Sequence, residues 1–364
     1  MIKLNPETKT LICIGTGGVG KTTLAASIGI GQALQGKKIL VLTIDPSKRL
    51  AQALGLKADG ELHQVNLKDF TSNNTPGGEL WSCVIDHQKA FEKFIRQSSM
   101  NIASENDINR LLKNKLYLQL SGRLSGSQEF TSLITLYQYV QSGDYDLVIL
   151  DTPPAQHTWS FLKAPEKIAS LFNEGIANWF RSGTESTSLL KKIVTIGTTQ
   201  VLKALEVLTG SEFIKELAAF FKAIQNWQQP LENYVMNCHR LLISPKTEFV
   251  LITGLDPSRL KEADKLSKEI RTQGYRLTSI VINRVPGWLS STQTASNTDT
   301  TKNTLGQARL QDIVHYYESL ETELKKSIHS FTSQQRVYKC FEFSQNTENV
   351  QQLKNNYDKI IEIH

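Results

Sequence analysis

The octapeptide GTGGVGKT at residues 15–22 decides the fold of this 364-residue chain. It satisfies the pattern G-x-x-x-x-G-K-[ST], follows the apolar run TLICIG at 10–15, and precedes a segment, 22–35, with small and apolar residues at helical spacing. A strand, a glycine-rich turn and a helix in this order place backbone N–H groups where they can hold phosphate oxygens. The sequence therefore predicts a phosphate-binding loop, and the alternative is a glycine-rich turn that binds nothing.

The loop supplies most of the candidate nucleotide-binding residues. Its glycines allow a tight turn and a close approach of the backbone to phosphate. Lys21 would neutralise the β and γ phosphates, the hydroxyl of Thr22 would bind Mg²⁺, and Thr23 would contact the α phosphate. The candidates are Gly17, Gly18, Val19, Gly20, Lys21, Thr22 and Thr23.

Two aspartates follow apolar, strand-like runs. Asp151 ends the run LVILD and is a candidate to hold Mg²⁺ through water, with a helix cap or loop aspartate as the alternative. Asp45 ends the run from 38 to 44, where a carboxylate could orient or deprotonate an attacking water. Its alternative is a turn-forming Asp-Pro. Asp45 and Lys21 are the candidate catalytic residues.

Short apolar runs alternate with helical patterns along much of the chain. This alternation predicts an α/β fold with a doubly wound, mostly parallel sheet and helices on both faces. The predicted strands are 10–15, 38–44, 146–150, 249–253, 278–282 and 337–343, and later helices are expected at 257–273, 307–332 and 347–360.

Two helical stretches interrupt this alternation and suggest the domain organisation. Residues 1–160 form the first part of the core, with a helical insert at about 86–142, and 246–364 form the second part. Between them, 161–245 is predicted to be a helical subdomain for a client or partner. Its apolar stripe packs either on the body of the chain or in a groove that receives an apolar helix.

Composition and charge argue against several classes of protein. The net charge is +6 from 41 basic and 35 acidic residues scattered along the chain, so no nucleic-acid partner is expected. The four cysteines form no CxxC pair, which argues against a disulfide scaffold or a structural zinc site. The first residues lack the apolar stretch of a signal peptide, and no apolar run is long enough to span a membrane. A cytoplasmic protein is expected.

Three segments together resemble a known family: GTGGVGKTT at 15–23, TIDPSKRLAQALG at 43–55 and DTPPAQHTWSFLKAP at 151–165. They are similar to the deviant P-loop ATPases that drive arsenical pumps and target tail-anchored proteins, especially single-domain bacterial members. The resemblance implies a P-loop NTPase fold and a dimer that hydrolyses ATP with Mg²⁺. It also implies coupling of nucleotide state to the handling of an apolar protein segment or a membrane partner.

The resemblance also implies roles for single residues. Asn283 would hydrogen-bond the adenine, with an ordinary strand-end residue as the alternative. For His157 the alternative is a structural histidine. The implied switch residues, which sense or act on the terminal phosphate, are Asp45, Pro46, Asp151, Thr152 and His157.

The sequence of the loop differs from the family's pattern at one position. The family carries a second lysine, which reaches across a dimer interface to the partner's nucleotide, where this chain has Thr16. Lys48 and Arg49 are candidates to supply this positive charge in place of the lysine. A paralogous partner that retains the lysine is another candidate source. The expected partner is therefore a second copy of this chain or a paralogous ATPase. Two alternative functions remain: a nucleotide-gated scaffold with little hydrolysis, and a subunit of an arsenite or other anion pump.

Overall fold

The computed structural model describes the chain in segments. The described residues are 2–44, 51, 54, 59–70, 77–99, 104–112, 128–152, 161–162, 228–286, 315–316, 319–320, 322, 326, 331, 335–342 and 349–363. The predicted helix at 307–332 and the apolar stretch at 163–227 lie mostly or wholly outside these residues.

A nine-stranded sheet organises the described part of the chain. Its strands are β1 (Thr10–Gly15), β2 (Lys38–Thr43), β3 (His63–Val65), β4 (Glu79–Val84), β5 (Leu147–Asp151), β6 (Thr247–Gly254), β7 (Leu277–Val285), β8 (Arg336–Phe341) and β9 (Ile360–Ile363). Their order is β3-β4-β2-β5-β1-β6-β7-β8-β9. Among the described strands, only the outer pairs, β3–β4 and β8–β9, are antiparallel.

The described residues also form helices, which lie between the strands in the sequence. They are α1 (Lys21–Ala33), α2 (His87–Ser99), α3 (Glu105–Leu112), α4 (Gln128–Ser142), α5 (Gln228–Leu242), α6 (Pro257–Thr272) and α7 (Val350–Asp358), with one 3₁₀ turn at Lys68–Phe70. The α/β fold with a mostly parallel sheet is confirmed.

Three strands were not predicted. β3 and β4 lie between the predicted runs, and β9 overlaps the end of the helix predicted at 347–360. That helix ends at Asp358, and residue 360 instead starts an antiparallel pairing in which Ile360 lies opposite Cys340. The prediction of a helix to residue 360 was therefore wrong at its last turn, because the chain gains ladder hydrogen bonds with β8 there.

The structure divides into two compact units. The first comprises 1–85, 138–159 and 242–364 and contains the sheet; the second comprises 86–137 and 160–241. The predicted subdomain boundaries at 161 and 245 stay a prediction, because most of that stretch lies outside the described residues.

Helix α1 fits tightly into the first unit because its sequence is rich in small residues. A Cβ on Gly31 would lie 2.2 Å from the ring of Tyr357 in α7, and one on Gly29 would lie 2.7 Å from Val41 in β2. Glycine at both positions lets the helix approach the sheet and α7 closely. The end of α1 that follows β1 is thereby fixed at the carboxyl edge of the sheet, where ligands bind in open α/β folds.

Candidate nucleotide-binding site

The loop between β1 and α1 has the backbone that its glycines suggested. Gly20 is the N-cap of α1 with φ 86° and ψ 30°, and Gly18 has φ 70°. Residues with a Cβ are disfavoured in this left-handed region by roughly 1–2 kcal/mol. A Cβ on Gly17, in contrast, would meet nothing within 4 Å. The geometry thus favours glycine at 18 and 20 but gives no reason for it at 17.

The N-terminus of α1 lacks a side-chain cap among the described residues, and its first turn has no acidic residue. Other helices of the same unit are capped: Asp256 accepts from the N–H groups of Ser258 and Arg259 before α6, and Asn349 accepts from Gln352 N–H before α7. Free amides and the positive end of the helix dipole suit an anion. The start of α1 therefore has the backbone and charge that suit an anionic ligand.

Lys21 is the first residue of α1, and its side chain is buried over the loop. Its Nζ donates hydrogen bonds to the carbonyls of Gly15 and Thr16, both at 3.1 Å. Burial lowers the pKa of Lys21, while the negative charges of Asp151 and Glu262 act to raise it. The ammonium thus lies among backbone carbonyls, within the electrostatic reach of two carboxylates.

Asp151 is the last residue of β5 and lies opposite Cys13 of β1. It is 3% exposed. The next residue fixes the chain further, because Thr152 donates to the Cys13 carbonyl from its N–H at 3.2 Å and from Oγ1 at 2.8 Å. Burial, and then the charge of Asp151, raise the pKa of the Cys13 thiol, which stays protonated. The predicted Mg²⁺ carboxylate is thus fixed beside the strand that feeds the loop.

Asn283 lies in β7, two strands away from β1, and its side chain touches the loop. Its Nδ2 donates to the Val19 carbonyl at 2.7 Å. Sequence reasoning missed this contact because the two residues are 264 positions apart and no spacing pattern links them. The predicted contact between Asn283 and adenine stays a prediction.

Arg259 is a second neighbour of the loop that sequence reasoning missed. A Cβ on Gly254, at the end of β6, would lie 3.2 Å from Arg259 Cδ and 3.8 Å from Val19 Cγ1. The first turn of α6 therefore places the Arg259 side chain against Gly254, which Val19 of the loop also approaches. No motif in the sequence marks this position.

The other predicted site residues lie either in the first turn of α1 or outside the described residues. Thr22 and Thr23 lie half-buried in the first turn of α1. Asp45, Pro46 and His157 lie outside the described residues, as do Lys48 and Arg49. Within the described ranges, no group of three or more His, Cys, Asp or Glu side chains is arranged to hold a metal ion.

A comparison with protein families agrees with this geometry. The family described as "Anion-transporting ATPase" matches residues 8–330. The chain belongs to this family. The match extends over most of the chain, and the family predicted from the three sequence segments is confirmed.

Individual relatives share less sequence with this chain. It is 23% identical over 282 residues to "Putative arsenical pump-driving ATPase 1" of Aquifex aeolicus, which covers 76% of this chain and 63% of the relative. It is 32% identical over 171 residues to "ATPase GET3" of Candida glabrata, covering 44% of this chain and 46% of that protein. With "ATPase ASNA1 homolog" of Cryptosporidium parvum it shares 26% identity over 294 residues, or 78% and 69% of the two chains. The chain thus spans less than two thirds of the first two relatives.

Two features of this family member bear on its site and surroundings. The hydroxyl Oγ1 of Thr16 is buried and has no hydrogen-bond partner among the described residues.

In the part of the chain that the structure describes, none of the helices combines the length and apolar character that a membrane crossing requires.

Proposed function

We propose that this chain binds ATP at the loop 15–22 and hydrolyses its terminal phosphate with Mg²⁺, as a dimer whose nucleotide state controls the handling of an apolar protein segment or a membrane partner. The observation that carries the proposal is the start of α1. There a left-handed Gly20, a helix N-terminus without a side-chain cap and the buried ammonium of Lys21 converge.

The loop would hold the phosphate chain through backbone N–H groups and Lys21. Phosphate oxygens are stronger acceptors for an ammonium than the carbonyls of Gly15 and Thr16, because the bond is then between opposite charges. We infer that Lys21 exchanges these carbonyls for the β and γ phosphates, and that Thr23 contacts the α phosphate. Donors positioned before the reaction supply much of the catalysis in phosphoryl transfer.

Thr22 and Asp151 are the residues that would hold Mg²⁺. They fit this role, because a hydroxyl in the first turn of α1 and a buried carboxylate at the end of β5 offer the oxygen ligands that Mg²⁺ prefers. When bound, Mg²⁺ neutralises phosphate charge and orients the phosphates.

The proposed switch residues come from the family resemblance. Thr152 is tied to Cys13 by two hydrogen bonds, so a movement in response to the terminal phosphate would begin after residue 152. We propose that Pro46 and His157 move with the two switches and that Asp45 orients or deprotonates the attacking water. Asn283 would reach the adenine.

The helical unit is the proposed place for a client. It has a core of its own, in which Phe94 packs edge-to-face on Phe130 at 5.7 Å and on Tyr234 at 4.9 Å between ring centroids. In α5, Val235 and Cys238 are buried while Met236 is 52% exposed. The relatives named ATPase GET3 and ATPase ASNA1 homolog support the ATPase part of this proposal, and the client part follows from the resemblance of the three sequence segments to ATPases that target tail-anchored proteins.

Release of inorganic phosphate from ATP tests the enzymatic part of the proposal. The wild-type chain should release phosphate only with Mg²⁺, and Lys21→Ala should abolish release. Lys37→Ala is the matched control, because Lys37 lies beyond the far end of α1, where its Nζ donates to Gln32 Oε1 in the last turn of that helix. Release that is unchanged in Lys21→Ala would contradict the proposal.

A titration with an apolar helical peptide tests the client part separately. Binding should differ between the nucleotide-free and the Mg-ATP-bound chain. A peptide that binds in neither state removes the client proposal and leaves the ATPase proposal standing.

A second candidate function is a nucleotide-gated scaffold with little hydrolysis. Thr16 favours it, because a buried threonine cannot supply the positive charge that the family's lysine brings to a partner's nucleotide. Turnover by the isolated chain separates the two, since rapid hydrolysis without any partner excludes the scaffold. No observation in the described residues favours an arsenite-pump subunit, because the four cysteines are buried on four different elements.

A further inference from the structure

Asn283 makes a buried contact with the phosphate loop that a residue dedicated to adenine would not need. Its Nδ2 donates to the Val19 carbonyl at 2.7 Å, and the side chain is 9% exposed. Val19 lies two residues before Lys21. The amide of Asn283 is therefore packed on the backbone of the loop.

The local backbone of β7 is unusual where Asn283 leaves the sheet. The register between β7 and β8 shifts between Ile282 and Val285, and Arg284 has φ 58°. A non-glycine residue in the left-handed region costs about 1 kcal/mol or more and persists where the surroundings enforce it. The irregularity thus lies immediately beside the residue that reaches the loop.

Gly20 provides the space for this contact. A Cβ at Gly20 would lie 2.7 Å from Asn283 Nδ2, closer than two such atoms approach. The glycine that caps α1 therefore serves two purposes: it adopts φ 86°, and it admits the asparagine amide.

The contact also fixes the direction of a backbone donor. A trans peptide unit is planar, and its C=O and N–H point in opposite directions. Holding the Val19 carbonyl toward Asn283 therefore turns the Gly20 N–H away from it, toward the opposite side of the loop.

We propose that Asn283 is a positioning residue for the phosphate loop: by holding the Val19 carbonyl, it keeps the Gly20 N–H oriented for a phosphate oxygen. The inference rests on the proposed nucleotide site and deepens it. It means that one side chain joins the base end and the phosphate end of that site.

Inorganic tripolyphosphate with Mg²⁺ separates this role from adenine contact, because it has the phosphate chain and no base. Asn283→Ala should weaken binding of tripolyphosphate and of ATP by roughly tenfold each. Asn283→Leu, which has a similar shape but no N–H donor, should do the same and serves if the alanine variant does not fold. Both affinities are measured by titration calorimetry.

Thr278→Val is the control for a general loss of stability. Thr278 lies on the same strand and donates to Glu248 at 2.9 Å, away from the loop. This variant should keep both affinities. If both Asn283 variants weaken ATP but leave tripolyphosphate unchanged, Asn283 contacts only the base and the inference is overturned. A wild-type chain that binds neither probe contradicts the proposed function itself, and the inference with it.

Discussion

The carboxylate of Asp151 opposes the effect of burial on the ammonium of Lys21. Burial is the larger influence and lowers the pKa of Lys21, whereas the charge of Asp151 raises it. The first residue of α1 and the last residue of β5 therefore share one electrostatic environment, although 130 positions separate them in the sequence. The next two predictions follow from this relationship.

The affinity for Mg-ATP should fall as the pH rises through the lowered pKa of Lys21. Only the charged lysine attracts phosphate, and its pKa lies below that of an exposed lysine, so the loss begins at a lower pH than usual. Bound triphosphate stabilises the ammonium, so binding takes up protons in this alkaline range. The phosphates themselves finish ionising near pH 6–7 and do not contribute. Calorimetry in buffers of different ionisation heat measures the uptake; an affinity that rises with alkaline pH would be the opposite result.

Asp151→Asn should weaken the response to Mg²⁺ by roughly 10- to 100-fold, since carboxylates that hold a metal through water have effects of this size. The same substitution removes a charge that raises the pKa of Lys21, so the pH at which affinity falls should decrease further. Asp146→Asn is the matched control, because Asp146 accepts from Lys38 N–H near the start of β5. A Mg²⁺ titration of phosphate release is the measurement, and equal curves for the two variants would count against the assignment.

Gly31→Ala should destabilise the first unit by about 1–3 kcal/mol, the usual range for inserting a methyl group into a packed core. The new Cβ would lie 2.2 Å from the ring of Tyr357, whose hydroxyl accepts hydrogen bonds from Gln32 and Gln35. The crowding outweighs the better helix propensity of alanine, worth about 1 kcal/mol. Denaturant unfolding measures the change.

Ser27→Ala is the matched control for Gly31→Ala on the same helix. Ser27 is buried, and its Oγ has no partner among the described residues. This variant should keep or slightly increase the free energy of unfolding. If Ser27→Ala lowers the free energy of unfolding as much as Gly31→Ala does, the loss in Gly31→Ala does not come from its contact with Tyr357.

Tyr234→Phe should cost about 1 kcal/mol in the helical unit, and Tyr234→Ala about 3–5 kcal/mol. The phenylalanine keeps the ring and loses the hydrogen bond from the hydroxyl to the Ile134 carbonyl at 3.2 Å. The alanine also loses the ring contacts with Phe94 and Tyr137, both at 4.9 Å between centroids. Unfolding curves for the two variants should differ clearly, and similar losses would mean that the ring contributes little.

The central strands could be predicted from the sequence because parallel strands buried on both faces form continuous apolar runs. β1, β5 and β6 are buried along their whole length, and their runs stand out from the helical patterns around them. β4 is harder to recognise, because ELWSCV mixes polar and apolar residues. β9 follows α7 after the single residue Lys359, so the helical pattern conceals its start.

Only part of the site could be predicted in the same way. The loop residues lie next to one another in the sequence, and their residue types express their chemistry directly. The contact of Asn283 with Val19 and the closeness of Arg259 to Gly254 depend on strand order and register, which a single sequence does not contain. The roles of Asp45, Pro46 and His157 remain predictions.

Equilibrium binding of ATP to the wild-type chain and to Lys21→Ala, with Mg²⁺ present, tests the central claim most directly. The wild-type chain should bind, and the loss of a charge-assisted contact should weaken binding by roughly 10- to 100-fold in the variant. A wild-type chain that binds no ATP at millimolar concentrations, or a variant that binds as tightly as the wild type, would contradict the claim that the loop 15–22 holds the phosphates.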